Sequence, residues 1–424
     1  MTHRENFLAA MRRRPCERVP FQFSFCDSLK EELLRRCGTD DVVQAFDMPV
    51  QYVELPPPEV MPDYTAYRKN AAELSFIDEW GVGHKRGSVA HFTPFYSPMA
   101  EFTTPEEVEA YPFPDVLNEE RWADVARQVE KAHSEGRAAA YFAVQVFEPA
   151  WYLRGLENML MDFLTDEEMA AACMDKMCRI QCEIARRAAR CGVDMVVFGD
   201  DVGSQRSLMM SREVWRRWVK PATAATIAAA KAENPDVIAM YHSDGVIDEI
   251  IPELIEIGVE VLNPVQPECM DPVKVKELYG DRLPFLGTVG TQTVMPFGTP
   301  DRVRDTVRRM IETVGRGGGL PIAPTHAGAG GALGEHRGLP LGGEGVRRLL
   351  NAKRERPHAG TLSFVMWFEG PAEPPRSRPP AAPGPRPPGW AGRRWGLPAR
   401  KSGTRRSRRR GPPPALPSRP AALR

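Results

Sequence analysis

Met195-Val196-Val197-Phe198-Gly199-Asp200-Asp201 and, further on, Val237-Ile238-Ala239-Met240-Tyr241-His242-Ser243-Asp244 share one layout. Each is a short apolar run with no polar alternation, followed at once by acids or a histidine. A strand with one wet face alternates apolar and polar residues. A strand buried on both faces does not, so these two runs read as neighbours in a parallel sheet. Between them Ser211 opens a long helical stretch containing Val214, Trp215 and Trp218, which Pro221 should kink or restart. The unit is strand, helix, strand.

The same unit recurs in both directions. Further strands are expected at 19–25, 140–147, 260–263, 283–287 and 320–324. Helix starts are legible at Thr104-Pro105-Glu106-Glu107, at a Thr165-Asp166-Glu167-Glu168 capping box, and at Thr299-Pro300-Asp301 with Val303, Val307 and Ile311 on one stripe. Seven or eight such units in one long domain point to an α/β fold of the (β/α)8 TIM-barrel kind, expected over residues 1–326. An open doubly wound sheet is the alternative, but no GxGxxG follows the first strand.

Residues 327–424 break the pattern. A glycine–alanine run, Ala327-Gly328-Ala329-Gly330-Gly331-Ala332, is followed from Pro371 by 54 residues with 15 Pro, 13 Arg and one Lys against Glu373 alone. Such a composition buries too little apolar surface to offset its ordering entropy, so disorder is expected there. Suitable codons from Ala327, read one base later, encode Leu-Glu-Pro-Glu-Val-Pro-Trp-Glu-Asn-Ile, a turn and a helix start, so a frameshift is one explanation of the tail. In that case the last barrel helix is lost and the product is inactive.

The formal charge of zero over 424 residues conceals this division, because residues 1–370 hold 42 Lys+Arg against 55 Asp+Glu. An acidic body argues against a nucleic-acid-binding domain. No apolar run reaches 18 residues, and the first residues lack the layout of a signal peptide, so a cytoplasmic protein off the membrane is expected. Eight scattered cysteines without a CxxC pair read as reduced thiols that fill helix and core positions.

Barrel chemistry sits at the C-terminal ends of strands. The polar residues there are Glu148, Asp200 and Asp201, His242 and Asp244, Asn263 and Gln266, and His326. Two imidazoles and several carboxylates can form a divalent metal site, with Asp244 either a ligand or the acceptor that orients His242. The plainer reading is that the acids cap helix N-termini, where the helix dipole favours them without any catalysis. Trp151 and Arg154 can line a pocket, the arginine receiving a substrate carboxylate, or can belong to a packed helix turn.

Several stretches together resemble the uroporphyrinogen decarboxylase superfamily. They are Arg18-Val19-Pro20-Phe21, Asp78-Glu79-Trp80-Gly81-Val82, Glu148-Pro149-Ala150-Trp151-Tyr152-Leu153-Arg154-Gly155, Gly199-Asp200-Asp201-Val202-Gly203-Ser204-Gln205, Tyr241-His242-Ser243-Asp244-Gly245, Asp281-Arg282-Leu283-Pro284-Phe285-Leu286-Gly287 and Ala323-Pro324-Thr325-His326. The resemblance covers roughly residues 3–326 and implies a (β/α)8 barrel and a cytosolic enzyme. It allows two chemistries: a decarboxylase without metal or organic cofactor, and zinc methyltransferases that serve corrinoids, thiols or tetrahydrofolate.

The decarboxylases carry an arginine-rich segment after the first strand to hold substrate carboxylates. Here that place reads Phe23-Ser24-Phe25-Cys26-Asp27-Ser28, without arginine. The resemblance therefore implies the methyltransferase branch, with uroporphyrinogen decarboxylase as the alternative. The methyltransferases' His-x-Cys step and later cysteine match His242, Asp244 and His326, so both cysteines are replaced by harder ligands. It further implies Glu148 as a fourth zinc ligand, and Asp200, Asp201 or Glu148 in substrate positioning or proton transfer. Trp151, Arg154, Gln205, Tyr241 and Asn263 would then face a small-molecule substrate, and a methyl-corrinoid on a partner protein or tetrahydrofolate would be the companion.

Overall fold

Five strands pair side by side and all in one direction: β1 (Val50–Val53), β5 (Ala138–Val144), β6 (Met195–Phe198), β7 (Ile238–His242) and β8 (Val261–Asn263), in that spatial order. The computed structural model describes residues 1–23, 34–35, 38–39, 41–67, 74–85 and 95–325. These belong to one unit, Met1–Ala372, and the second unit, Glu373–Arg424, lies outside the described residues. Parallel neighbours need a crossover, and helices supply it. They include α4 (Glu119–Ser134) before β5, then α5 (Phe147–Arg154), α6 (Leu156–Thr165) and α7 (Glu167–Arg190) before β6. Next come α8 (Arg212–Glu233) before β7 and α9 (Ile251–Glu256) before β8.

Parallel pairing continues past the named strands as single bridges. Leu262 pairs with Phe285, Val289 with Pro324, and Phe21 with Ile322. Gln22 N–H donates to the Ile322 carbonyl at 2.9 Å, and Gln22 Nε2 donates to the Val50 carbonyl at 3.3 Å. The strands expected at 283–287, 320–324 and 19–25 are thus present as isolated parallel pairs, and 24–25 lie outside the described residues. β1 and a small antiparallel sheet of β2 (Phe76–Ile77), β3 (Gly83–His84) and β4 (Phe95–Tyr96) are additions to the expected strands. They are too short to carry a period of their own.

Side-chain alternation sorts the parallel strands into two cores. Val50, Ala138, Ala140, Met195, Val197, Ile238, Met240, Val261, Leu286 and Ala323 pack together on one face, with Phe7 and Met11 of α1 (His3–Met11) among them. The residues between them, such as Val196, Phe198, Ala239, Tyr241 and Leu262, meet the helices on the other face. Each such aliphatic or aromatic side chain contributes roughly 1.5–3 kcal/mol by leaving water. Phe7 and Met11 belong to the inner cluster, and Arg4 N–H donates to the Gly136 carbonyl just before β5 at 2.7 Å, which sets α1 at the N-terminal end of the strands. Asp194, just before β6, ties this end together by accepting from Arg4 Nη2 at 2.7 Å, His133 Nε2 at 2.9 Å and Ala139 N–H at 3.0 Å. The opposite, C-terminal end is left for polar groups.

Several helix starts follow the sequence. Thr104 and Glu107 form a reciprocal capping box on α3 (Pro105–Ala110), Ser211 caps α8, and Thr299 caps α12 (Pro300–Thr313). Others differ. Asp166, not Thr165, caps α7, because Thr165 still belongs to α6. Pro221 sits inside α8 without ending it. β5 stops at Val144 and not at 147, and Phe147 opens α5.

Glu253 of α9 joins α9 to α8 by accepting from Arg212 Nε at 2.8 Å, Arg216 Nε at 2.9 Å and Lys220 Nζ at 3.0 Å. The Arg216 hydrogen bond, helped by Lys220 and Arg212, holds its carboxyl down at about 2. A lowered native value stabilises the fold above the unfolded carboxylate range, near 4.3, and that contribution is lost as pH falls through about 2. Because the basic partners are partly exposed, Glu253→Gln is expected to cost about 1–2 kcal/mol at pH 7. It should also remove the corresponding acid sensitivity between pH 4.5 and 2. Urea unfolding across that range measures both.

Candidate metal centre

β7 alternates Ile238 and Met240 inward with Ala239 and Tyr241 outward, so His242 falls on the inner side at the strand's C-terminal end. In the parallel register it stands beside Asn263, the last residue of β8. Gly199 follows β6 with φ +120°, and a Cβ there would lie 2.2 Å from the His242 carbonyl oxygen. No side chain fits, and this close approach carries the 200–201 step beside the 242–244 step.

The two loops are then laced together. Ser243 Oγ accepts from Val202 N–H at 3.1 Å, and Asp201 Oδ1 accepts from Asp244 N–H at 2.7 Å. Gly245 N–H donates to Gln266 Oε1 at 3.2 Å, and Val246 N–H to the Ser204 carbonyl at 2.8 Å. Ser243 is fully buried. Its inward turn leaves the side chains of 242 and 244 beside Asp201.

Asp201, His242 and Asp244 each offer a ligand atom within 4.8 Å of the others. His242 Nε2 is 3.7 Å from Asp201 Oδ1. The other ring nitrogen, Nδ1, meets Asn263 Oδ1 at 2.6 Å, and Asn263 Nδ2 donates to the Leu286 carbonyl at 2.7 Å. That second bond needs the amide NH2 on the Leu286 side. The amide oxygen must therefore face the imidazole, and Nδ1 carries the proton. The Nε2 lone pair is left toward the two carboxylates, the tautomer a metal-binding histidine needs. Phe142 sets its ring against the imidazole at 6.1 Å between centroids. One nitrogen and two carboxylate donors with a preset tautomer fit a divalent cation, zinc among them, with coordination positions left over for a substrate.

Asp201, expected to position substrate or move a proton, is therefore part of the donor group. Asp200 is held differently. It is 1% exposed, and its Oδ1 accepts from Glu148 N–H at 2.7 Å and Val146 N–H at 3.1 Å. α5 has no side-chain cap of its own at Val146, and Asp200 supplies one from a neighbouring strand end. Burial pushes its carboxyl up to about 7 against the lowering effect of those donors. Asp200 thus stands in a helix-capping position directly before Asp201.

Glu148 lies in the first turn of α5 and not at a strand end, hydrogen-bonded by Gln145 Nε2, and it is not in the three-residue donor group. Arg154 closes α5 with its donors on Asp162 Oδ2 at 2.8 Å and on the Met99 and Phe102 carbonyls, both at 2.9 Å. A substrate carboxylate would have to displace those partners. Trp151 is buried against Phe95 and Tyr152, its indole nitrogen without a hydrogen-bond partner among the described residues. Tyr241 faces the helices, its hydroxyl 3.4 Å from the Asp200 carbonyl. Gln205 is exposed and accepts from the Cys269 thiol at 3.5 Å. His326 lies outside the described residues.

Asn263 appears in the sequence as a strand-end polar group, and only its register opposite His242 reveals what it holds. No helix among the described residues is long and apolar enough to cross a membrane.

Residues 2–328 match the family model described as uroporphyrinogen decarboxylase. A methylated-thiol–coenzyme M methyltransferase of Methanosarcina mazei is 26% identical over 214 residues, which are 50% of this chain and 51% of that protein. The alignable part is thus about half of that relative. A solved methyltransferase from Methanosarcina mazei superposes with a TM-score of 0.58 at 14% identity, over 82% of this chain and 96% of its own, a likeness of fold.

Proposed function

The chain belongs to the uroporphyrinogen decarboxylase family, and within that family we propose that it is a metal-assisted methyltransferase on a closed (β/α)8 barrel. Closure is supported by the parallel bridges that continue from β8 through Phe285 and Ile322 to Phe21, and by Gln22 reaching the Val50 carbonyl. The observation that carries the activity is the donor group Asp201, His242 and Asp244 with Nε2 of His242 facing the acids.

Those three side chains would hold Zn²⁺, and His326, at the position matching the family's later ligand, would join them. The chemistry an ion held by these residues would supply is Lewis acidity, able to lower the pKa of a thiol or to polarise an ether oxygen. The protein's own part is orientation. Asn263 fixes the imidazole, the Asp244 N–H fixes Asp201, and Asp200 fixes the start of α5, which brings Glu148 and Trp151 into the structure. The substrate class is a small methylated thiol or methoxylated compound. The methylated-thiol relative supports the former. The acceptor is a thiol, a corrinoid on a partner protein, or tetrahydrofolate, in a cytoplasmic setting. The absence of arginine across Phe23-Ser24-Phe25-Cys26-Asp27-Ser28 leaves no cationic cradle there for a polycarboxylate, which weighs against decarboxylation.

The catalytic domain would end near residue 326, and residues 327–424 would be a tail from a shifted reading frame. The family match ending at 328 supports that boundary. Resequencing the gene tests the shift, and an unbroken frame aligned with relatives past this point would contradict it.

Purified protein is expected to demethylate a methylated thiol, lose that activity in chelator and regain it with zinc. CO₂ release from a porphyrinogen that persists in chelator would overturn the proposal.

A further inference from the structure

α7 carries two thiols outside the centre described above. Cys178 and Cys182 are one helical turn apart, both half-buried, with their Sγ atoms 4.0 Å from one another. They lie at the seam with α8, where the Cys178 thiol donates to the Ala222 carbonyl at 3.9 Å. Two chemistries compete for such a pair, and the spacing decides between them. Residues four apart on a helix keep their Cβ atoms about 5–6 Å apart. A disulfide wants about 3.5–4.5 Å, so a direct S–S bond would require the turn to unwind. A single atom between the sulfurs requires no such movement. With metal–sulfur bonds of about 2.3 Å, a 4.0 Å separation subtends an angle of about 120° at the metal.

We propose that Cys178 and Cys182 form a second metal site, specific for a soft d¹⁰ cation such as Cu(I) or Cd²⁺, bound between the two sulfurs with water completing its shell. Thiolate donors select soft ions, whereas the Asp201, His242 and Asp244 group offers only nitrogen and oxygen, so the two sites differ in what they retain. Binding converts both thiols to thiolates and releases their protons to solvent. The geometry is helped by electrostatics. Contact with Cys178, with Arg186 nearby, brings the Cys182 thiol below its usual value against the raising effect of burial. The Asp175 charge, which bears on Cys178, favours an incoming cation.

The site is independent of methyl transfer, and the test uses full-length, reduced, metal-free protein titrated with CdCl₂. The readout is the ultraviolet charge-transfer band of cadmium–thiolate bonds, to which the nitrogen–oxygen centre does not contribute. A band saturating at one cadmium per chain is expected, retained in Cys173→Ser and in His242→Ala, and lost in Cys178→Ser and in Cys182→Ser. Far-ultraviolet circular dichroism should show unchanged helicity in both, and the Cys178→Ala/Cys182→Ala protein, folded by the same criterion, should also lack the band. No band in the parent protein, or a band of full strength in either serine variant, overturns the proposal.

Discussion

His242→Ala is expected to remove bound metal and the proposed methyl transfer together while leaving the fold intact. The imidazole is the sole nitrogen donor in the group of Asp201, His242 and Asp244, and its Nδ1 hydrogen bond to Asn263 leaves Nε2 for the ion. Changes in a metal's outer shell alone cost about 10–100-fold in affinity, so loss of the ligand itself should exceed about 100-fold. Asn263→Ala should fall within that 10–100-fold range, because it frees the tautomer without deleting a donor. His242 is partly exposed at the strand end, so neither change should lower the melting temperature by more than a few degrees. Metal analysis after dialysis, beside activity, checks this. Full metal occupancy in His242→Ala would remove the basis of the proposed site.

Gly199→Ala should be far more damaging to the fold, at about 3–5 kcal/mol. Its φ of +120° is already unfavourable to any side chain. In addition the new Cβ would stand 2.2 Å from the His242 carbonyl oxygen and 2.8 Å from its nitrogen. Backbone cannot rotate away as a side chain can, so β6 and β7 would have to separate where they carry the site. Gly192→Ala is the control. It also has positive φ, at +85°, but nothing lies within 4 Å of its Cβ, so only about 1 kcal/mol is expected. Urea unfolding of the two variants measures the difference, and equal stabilities would contradict this reading of the strand crossing.

Much of this architecture is legible in the residues, for identifiable reasons. The runs at 195–199 and 237–242 are apolar on both faces because both faces are buried, and that signal needs no partner to be read. β1, with Gln51 and Tyr52 inside only four residues, is too short and mixed to announce itself. Phe147 reads as strand because its local text is apolar. It begins a helix because Asp200, more than fifty residues later, supplies the cap. The donor group was partly legible as His242 and Asp244 in a His-x-Asp step. Asp201's share in it depends on the Gly199 crossing, and Asn263's role on the β7–β8 register, both of which exist only after the sheet has formed.

The most direct test of the central claim is anomalous scattering at the zinc edge from crystals of the active, zinc-restored protein. One peak is expected at bonding distance, about 2.0–2.2 Å, from His242 Nε2 and from oxygens of Asp201 and Asp244. Active crystals with no metal at these three side chains, or with His242 turned so that Nε2 faces Asn263, would contradict it.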